Sequence, residues 1–234
     1  MSKLSFVAIL SSLLFISVSS AHAQDNTASS NAAVSASSAS SAPLHRAGYR
    51  QHDGFYVRML VGGGVGGSKY RAGLTIDGGQ TRTLGAATTT EVAVGWAVLD
   101  NFIVHATFNL GSTEEGVKKV GKRGYHDADQ TTIVGLAGAG LTYYLMPANV
   151  YVTGSVGVAG LGEVDDEGDD HHESKLGLGT SFAIGKEWWL GRGGQWGLGV
   201  ALTGAYYQGL LELDGAKSTY RGFTSGAALS ATFN

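Results

Sequence analysis

The chain has no cysteine, only two prolines, and no apolar run beyond its first residues that is long enough for a membrane-spanning helix. Without cysteine, disulfides, thiolate metal sites and a cysteine-linked lipid anchor are all excluded. The formal net charge is −3, which provides no electrostatic basis for nucleic-acid binding. Stability must therefore come from backbone pairing and side-chain packing.

The first 23 residues have the pattern of an export signal. Lys3 is a short basic start, residues 4–18 are an apolar core, and Ala21-His22-Ala23 precedes Gln24 as a cleavage site. A transmembrane anchor is the alternative, but serines interrupt the segment, and it is shorter than the roughly 20 apolar residues that a spanning helix needs. The pattern predicts a signal peptide over residues 1–23 and export from the cytoplasm.

Residues 24–53 are predicted to be a disordered periplasmic leader. Residues 24–42 are almost entirely Ala, Ser, Asn, Thr and Gln, and such a composition buries too little apolar surface to offset the entropy of ordering. An exported chain without a second long apolar run is either soluble or crosses a membrane as a β-barrel.

Residues 54–234 contain eight segments with period-two apolar character, which is typical of membrane barrel strands. The segments are 55–68, 87–98, 102–111, 130–144, 150–161, 175–190, 196–211 and 221–233. Short connections at 99–101, 145–149 and 191–195 alternate with longer ones at 69–86, 112–129, 162–174 and 212–220. The pattern predicts an all-β, eight-stranded antiparallel up-and-down transmembrane barrel with periplasmic turns and extracellular loops.

The two faces of the segments differ in side-chain size. In the third segment Phe102, Val104 and Phe108 share one face, while His105 and Thr107 share the other. The 37 glycines and many small residues suit the narrow lumen of an eight-stranded barrel, with large apolar side chains facing lipid. A soluble barrel would bury its large apolar residues inside. The fourth segment alternates poorly.

Aromatic residues cluster beside the chain ends and the short turns. They are predicted to form a girdle at the periplasmic membrane interface, although β-propensity alone also enriches aromatics in strands. The predicted girdle consists of Phe55, Trp96, Phe102, Tyr143, Tyr151, Trp188, Trp196 and Phe233, with Tyr56, Tyr144 and Trp189 beside them.

The last segment, GFTSGAALSATF at residues 222–233, resembles the assembly signal of the small eight-stranded outer-membrane barrels of OmpA/OmpX-like and OmpW-like type. In this chain Asn234 follows Phe233, whereas the family usually ends on the aromatic residue. The resemblance implies a Gram-negative outer-membrane location, insertion by the barrel assembly machinery, a monomer embedded among lipid and lipopolysaccharide, and no cofactor.

Four ionisable residues are predicted to face the lumen, namely Arg58, Glu91, His105 and Glu187. Buried charges are unfavourable unless they are paired or hydrated. Arg58 and Glu187 are expected at similar depth near the periplasmic rim, so we predict that they pair across the lumen. Such a pair is either a structural plug, which we favour, or part of a gate or active site.

Two predicted loops carry concentrated charge. Residues 163–173 include six weak candidates for a metal site, Asp165, Asp166, Asp169, Asp170, His171 and His172. Their spacing does not match an EF-hand, and the adjacent histidines point to opposite faces of a strand, so a solvated loop bridged by cations to lipopolysaccharide is favoured. Lys118, Lys119, Lys122 and Arg123 form a basic cluster, either solvated or facing lipopolysaccharide phosphates.

Three functions remain open at this point. The favoured one is a structural or surface-interaction barrel with a plugged lumen. The alternatives are a narrow channel for small apolar molecules, as the OmpW-like resemblance implies, and a lipid-modifying enzyme. Tyr125-His126-Asp127 and Ser112-Thr113-Glu114 resemble fragments of hydrolytic sites, but no motif holds a nucleophile and base together, so no catalytic residue is predicted.

Overall fold

The computed structural model describes residues 52–71, 80–120, 125–126, 130–165, 170–190, 194–213 and 216–234. The chain divides into two units, Met1–His45 and Arg46–Asn234, and all described residues belong to the second. The predicted signal peptide and the leader up to residue 51 lie outside the described residues. In the described part, no helix is long and apolar enough to cross a membrane.

Eight long strands and one two-residue strand make up the described part of the fold. In chain order they are β1 Gly54–Arg71, β2 Gln80–Leu99, β3 Phe102–Val120, β4 Tyr125–His126, β5 Gln130–Leu145, β6 Val150–Asp165, β7 Asp170–Leu190, β8 Trp196–Leu213 and β9 Ala216–Phe233. The short β4 pairs with the end of β3 through Lys118 and Lys119.

The long strands close into a single antiparallel ring. Each pairs with the next long strand along the chain, and β1 pairs with β9 from Val57↔Phe233 to Tyr70↔Tyr220. This last pairing leaves no open sheet edge between the first and last strands. The prediction of an eight-stranded antiparallel up-and-down barrel is confirmed.

Most strands extend further than the period-two pattern predicted, and the long extensions lie at the ends opposite the tight turns. β3 continues to Val120 rather than ending at residue 111, and β7 begins at Asp170 rather than at residue 175. About 9 to 11 residues suffice to cross a bilayer. Beyond that length both faces of a strand can meet water, so backbone pairing continues after the apolar alternation has stopped.

Side-chain burial confirms the orientation of the two faces. On β3, Val104, Phe108 and Leu110 are exposed on the outside, whereas His105 and Thr107 are buried inside. Most positions around the ring follow the same arrangement, although a few large apolar side chains, such as Leu60 and Ile103, are buried inside. The weak apolar–polar alternation of the fourth segment, which is β5, also has a structural reason. Val134 and Leu136 point inward, so the lumen face of β5 is apolar in part.

Candidate functional site

The middle of the lumen contains a buried ion pair. Arg58 on β1 and Glu91 on β2 both point inward, and Nη2 of Arg58 lies 3.0 Å from Oε1 of Glu91. The register pairs Arg58 with Ala93, so Glu91 lies two residues along β2 from the direct partner of Arg58 and on the same face. The Arg58 side chain is fully buried and that of Glu91 is 7% exposed. The two charges therefore depend on each other for stability.

Hydrogen bonds connect this ion pair to the opposite wall of the barrel. Arg58 donates to Oγ1 of Thr153 on β6 at 3.2 Å, and Ser181 on β7 donates to Oε2 of Glu91, also at 3.2 Å. The guanidinium carbon lies 4.8 Å from the ring centroid of Tyr151, close enough for a cation–π contact. The pair thus links four strands through the centre of the lumen.

His105 belongs to a second set of contacts at the same level. Its Nδ1 lies 2.8 Å from Thr107 Oγ1, and its Nε2 lies 3.0 Å from Thr142 Oγ1. Thr142 in turn donates to Thr153 at 2.8 Å, which connects this set to Arg58. All four predicted lumen residues face inward, and the structure brings Arg58, Glu91 and His105 into one hydrogen-bonded network.

Glu187 has partners other than the one predicted for it. Its carboxylate accepts hydrogen bonds from Tyr144 Oη at 2.9 Å and from Thr232 Oγ1 at 2.6 Å. The predicted Arg58–Glu187 pair is therefore corrected, because Arg58 forms its ion pair with Glu91. The carboxylate of Glu187 is instead held by Tyr144 on β5 and Thr232 on β9, while the Arg58 side chain extends toward Glu91 and Thr153.

The end of the lumen beside the tight turns is covered by His52, just before β1. Its ring stacks on Tyr144 at 3.7 Å between centroids and meets Trp189 edge-on at 4.9 Å. His52 Nδ1 lies 2.9 Å from Oδ1 of Asn234, whose Nδ2 donates to the carbonyls of Asp53 and Phe55 at 3.0 and 2.9 Å. The predicted leader included residues 52 and 53, and this boundary is corrected because both belong to the barrel base.

Replacing Asn234 by alanine should loosen this base. The change removes three hydrogen bonds at a largely buried position, which corresponds to a loss of about 1 to 3 kcal/mol in the free energy of unfolding. Urea unfolding of the barrel in lipid vesicles would measure it. Gln195→Ala is the matched control, because the hydrogen bond from the Asn234 backbone N–H is accepted by the backbone carbonyl of Gln195, which the variant retains. Equal stability of both variants would contradict a role for the Asn234 side chain.

The outer half of the lumen is partly apolar, which the sequence reading did not predict. Tyr207 donates to Asn109 Oδ1 at 2.8 Å, and Ser68 and Thr83 share a hydrogen bond of 2.7 Å nearer the mouth. Two pockets at these levels each have room for little more than one water molecule. An upper lumen cluster, as we call it, is formed by Val134, Leu136, Ala159, Leu161, Ala205, Tyr207 and Tyr220.

Most of the predicted aromatic girdle lies on the outer surface of the barrel, at the end beside the tight turns. Phe55, Trp96, Tyr143, Trp188 and Trp196 are between 42% and 58% exposed there, and Phe102 and Phe233 are half-buried beside them. Tyr151 is a correction, since it is fully buried and points into the lumen, as do Tyr56 and Tyr144. Neighbours in a strand face opposite sides, so adjacent aromatics cannot all join the girdle.

The other predicted site residues are only partly within the described residues. Thr113 is buried in the lumen between outward Ser112 and Glu114, so the three do not converge on one point. Asp165, Asp170, His171 and His172 belong to strands, but their side chains are not described; Asp166, Asp169, Lys122, Arg123 and Asp127 lie outside the described residues. Among the described residues, no group of three His, Asp or Glu side chains is placed to hold a metal ion.

A closed ring with apolar side chains outside and a polar hydrogen-bonded interior is the architecture of a transmembrane β-barrel. No protein-family model and no curated protein matches the chain. Among solved structures it is similar to Neisserial surface protein A, at 10% identity and a TM-score of 0.43, covering 76% of this chain and 96% of that one.

Two further similar structures are outer-membrane proteins. OprG from Pseudomonas aeruginosa is 12% identical with a TM-score of 0.47, and 78% of this chain covers 97% of it. AlkL, determined in lipid bilayers, is 18% identical with a TM-score of 0.41, and 82% of this chain covers 95% of it. The fold class of this chain is established by its own strand register. An outer-membrane barrel, the class to which these similar structures belong, is also what the sequence of this chain predicts.

Proposed function

We propose that the chain is an integral outer-membrane barrel with a structural or surface-interaction role and a lumen closed by its own side chains. The Arg58–Glu91 ion pair carries the proposal, because its hydrogen bonds to Thr153 and Ser181 cross the lumen. His52 and the Tyr144–Glu187 contact add a second closed level at the base. With two levels of the lumen filled by hydrogen-bonded side chains, water and ions have no continuous path through the barrel. The strand extensions on the extracellular side are then the part that is available to bind other molecules.

Conductance in planar lipid bilayers tests the closed lumen. The wild-type barrel should produce no steady ion current, because an ion would have to displace the buried pair and its hydroxyl partners. Arg58→Ser combined with Glu91→Ser removes both charges and much of the volume, and this double variant should conduct. Ser155→Ala removes a hydroxyl that lies 2.6 Å from Ser181 Oγ but leaves both charges in place, and this control should remain silent. Steady current through the wild type would refute the proposal.

A narrow binding or transport barrel for small apolar molecules is the second candidate. The upper lumen cluster favours it, because Leu136, Leu161 and Tyr207 give the outer half of the lumen an apolar lining. The cluster is contributed by β5, β6, β8 and β9, and apolar linings are typical of small-molecule pockets.

Retention of a fluorescent naphthylamine probe by the purified barrel tests this second candidate. Leu136→Ala should reduce probe binding about tenfold, the effect of losing roughly 1.4 kcal/mol of apolar contact. Leu141→Ala is the same change on the same strand but on the lipid face, and it should leave probe binding unaltered. Equal binding by both variants, or none by the wild type, would remove the candidate.

The remaining expectations concern partners and chemistry. We propose insertion by the barrel assembly machinery through residues 222–233, a monomeric state, and contact with outer-membrane lipid and lipopolysaccharide. The closed β1–β9 pairing supports a barrel that is complete in one chain. No enzymatic activity is proposed, and mass spectrometry of lipid A from a deletion strain would contradict this if its acyl pattern changed.

A further inference from the structure

The first and last strands of the ring, β1 and β9, meet at a junction that no run of consecutive residues bridges. At the end beside the tight turns, residues 100–101, 146–149 and 191–195 connect β2 to β3, β5 to β6 and β7 to β8. The fourth junction at this end lies between β9 and β1, which pair although they stand at opposite ends of the described sequence. We call this junction the seam. Its two strands are held together by non-covalent contacts alone.

The backbone ladder of the seam stops short of the end beside the tight turns. Its last pair there is Val57↔Phe233, so the carbonyls of Asp53 and Phe55 lie beyond the ladder. The Asn234 side chain reaches both of them, because its Nδ2 donates at 3.0 Å and 2.9 Å. Carbonyls two residues apart on a strand point toward the same neighbour. One side-chain amide therefore continues the hydrogen bonding of the seam past the last backbone pair.

His52 and Asn234 also connect the seam to the turns on either side of it. His52 Nδ1 lies 2.9 Å from Asn234 Oδ1. The His52 N–H donates to Oδ1 of Asn101 in the β2–β3 turn, and the His52 carbonyl accepts from the Asn101 N–H, both at 3.1 Å. On the other side, the Asn234 N–H donates to the carbonyl of Gln195, just before β8, at 3.0 Å. We call His52 and Asn234 the clasp.

The outer half of the seam has few large side chains on β1. Residues 62–67 of β1 read GGGVGG, and the register pairs them with residues 223–228 of β9. Farther out, Lys69 is the direct partner of Arg221, and like charges opposite one another destabilise a strand pair. Backbone hydrogen bonds therefore carry most of the outer half, and the side-chain contacts that resist separation of the two strands are concentrated toward the clasp.

We propose that the clasp takes the place of a fourth tight turn and limits the rate at which the ring opens between β1 and β9. A covalent turn keeps two strands in register, and the clasp does the same through side-chain and backbone hydrogen bonds to both flanking turns. These bonds exist only when the ring is closed, so they slow its opening without speeding its closure. The role is independent of whether the lumen conducts and of any extracellular partner.

Unfolding rates of the full chain in lipid vesicles test the clasp. The rates are followed by tryptophan fluorescence after a jump into urea. Asn234→Ala should unfold about tenfold faster than the wild type, which corresponds to a barrier lower by about 1.4 kcal/mol. Asp53→Ala is the matched control, because it removes an exposed side chain but keeps the carbonyl that Asn234 contacts. Equal unfolding rates of the wild type and Asn234→Ala would overturn the proposal.

The two side chains of the clasp should act as one unit. His52→Ala should also accelerate unfolding. The variant with both His52→Ala and Asn234→Ala should accelerate it by less than the product of the two single effects, because both changes break the same contact. Single effects that multiply fully would show that the two side chains act independently, which would contradict the clasp.

A disulfide across the seam distinguishes the clasp from a general contribution to stability. The chain has no cysteine, so Met59→Cys with Ala231→Cys places one pair of thiols at direct partners that face outward on β1 and β9. Direct cross-strand partners lie within the Cα separation that a disulfide requires. With this disulfide formed, Asn234→Ala should change the unfolding rate by less than about twofold, and chemical reduction should restore the effect of about tenfold.

The same disulfide between two other strands is the control. Ala139→Cys with Val156→Cys joins direct partners that face outward on β5 and β6. This disulfide leaves the seam free, so the effect of Asn234→Ala should remain about tenfold. An effect of Asn234→Ala that is equally large in the oxidised seam variant would overturn the proposal.

Hydrogen exchange of backbone amides locates the opening without any disulfide. In Asn234→Ala, exchange should become faster along β1 and β9 and stay unchanged along β5 and β6, because only the seam loses its clasp. A uniform increase around the ring would refute the proposal. Heat-dependent gel mobility first shows that each variant is inserted. If Asn234→Ala does not insert, Asn234→Asp takes its place, because it keeps the shape of the side chain and removes only the Nδ2 donor.

Discussion

Replacing Glu91 by alanine is expected to destabilise the barrel by about 3 to 5 kcal/mol, because Arg58 would remain buried without its counter-ion. The guanidinium would keep its 3.2 Å hydrogen bond to Thr153, but one neutral hydroxyl does not compensate a desolvated charge. Urea unfolding in vesicles, monitored by tryptophan fluorescence, would measure the loss. Glu114→Ala is the control, since it removes a carboxylate from the outer surface of the neighbouring strand.

A double-mutant cycle separates the pair from its surroundings. Each single change, Arg58→Met or Glu91→Leu, leaves the other charge buried without its partner. The double variant leaves no buried charge, so it should be less destabilising than the sum of the two single changes. The same cycle with Arg58→Met and Glu187→Leu should be closer to additive, since Glu187 is held by Tyr144 and Thr232. Stronger coupling to Glu187 than to Glu91 would contradict the ion pair described here.

Gly138→Ala is expected to destabilise the barrel by several kcal/mol, or to prevent closure, although it adds a single methyl group. A Cβ at this position on β5 would overlap the backbone of β6, lying 2.6 Å from the Cα of Gly157. A backbone neighbour cannot move aside without breaking the ladder that pairs Gly138 with Gly157. Overpacking against a fixed backbone typically costs 1 to 3 kcal/mol or more.

Gly135→Ala provides the control on the same strand. A Cβ there would have no heavy atom within 4 Å, and the backbone does not require a glycine conformation. This variant should fold as well as the wild type, because alanine also reduces the freedom of the unfolded chain. Heat-dependent gel mobility of both proteins in vesicles gives a direct comparison. Equal stability of the two variants would show that strand spacing at Gly138 relaxes more than the structure indicates.

The period-two pattern was sufficient to predict which strands exist and which way each face points. It predicted the outward Val104 and Phe108 and the inward His105, because lipid and lumen impose opposite demands on alternate residues. It underestimated strand length at the extracellular side. β3 reaches Val120 because backbone pairing there does not require an apolar face.

The sequence predicted which ionisable residues line the lumen, but it did not predict which of them are in contact. Arg58, Glu91, His105 and Glu187 all point inward as expected, since inward direction depends only on strand parity. Which carboxylate pairs with Arg58 depends on cross-strand register and on the geometry of the closed ring. The alternation of apolar and polar residues along one strand contains neither. Tyr151 lies beside a short turn as the girdle residues do, but its strand parity points it into the lumen.

The alternation, the number of long strands and the placement of the turns follow from the local preferences of consecutive residues, so they can be predicted from the sequence alone. Tertiary structure decided what depends on ring closure and cross-strand register. Closure through β1 and β9 creates the lumen in which Arg58 forms its ion pair with Glu91. It also brings His52 into contact with Asn234, which lies 182 positions away in the sequence. Register also aligns Lys69, Arg82, Lys119 and Arg221, which are scattered along the chain and become neighbours only when antiparallel strands bring them to one row.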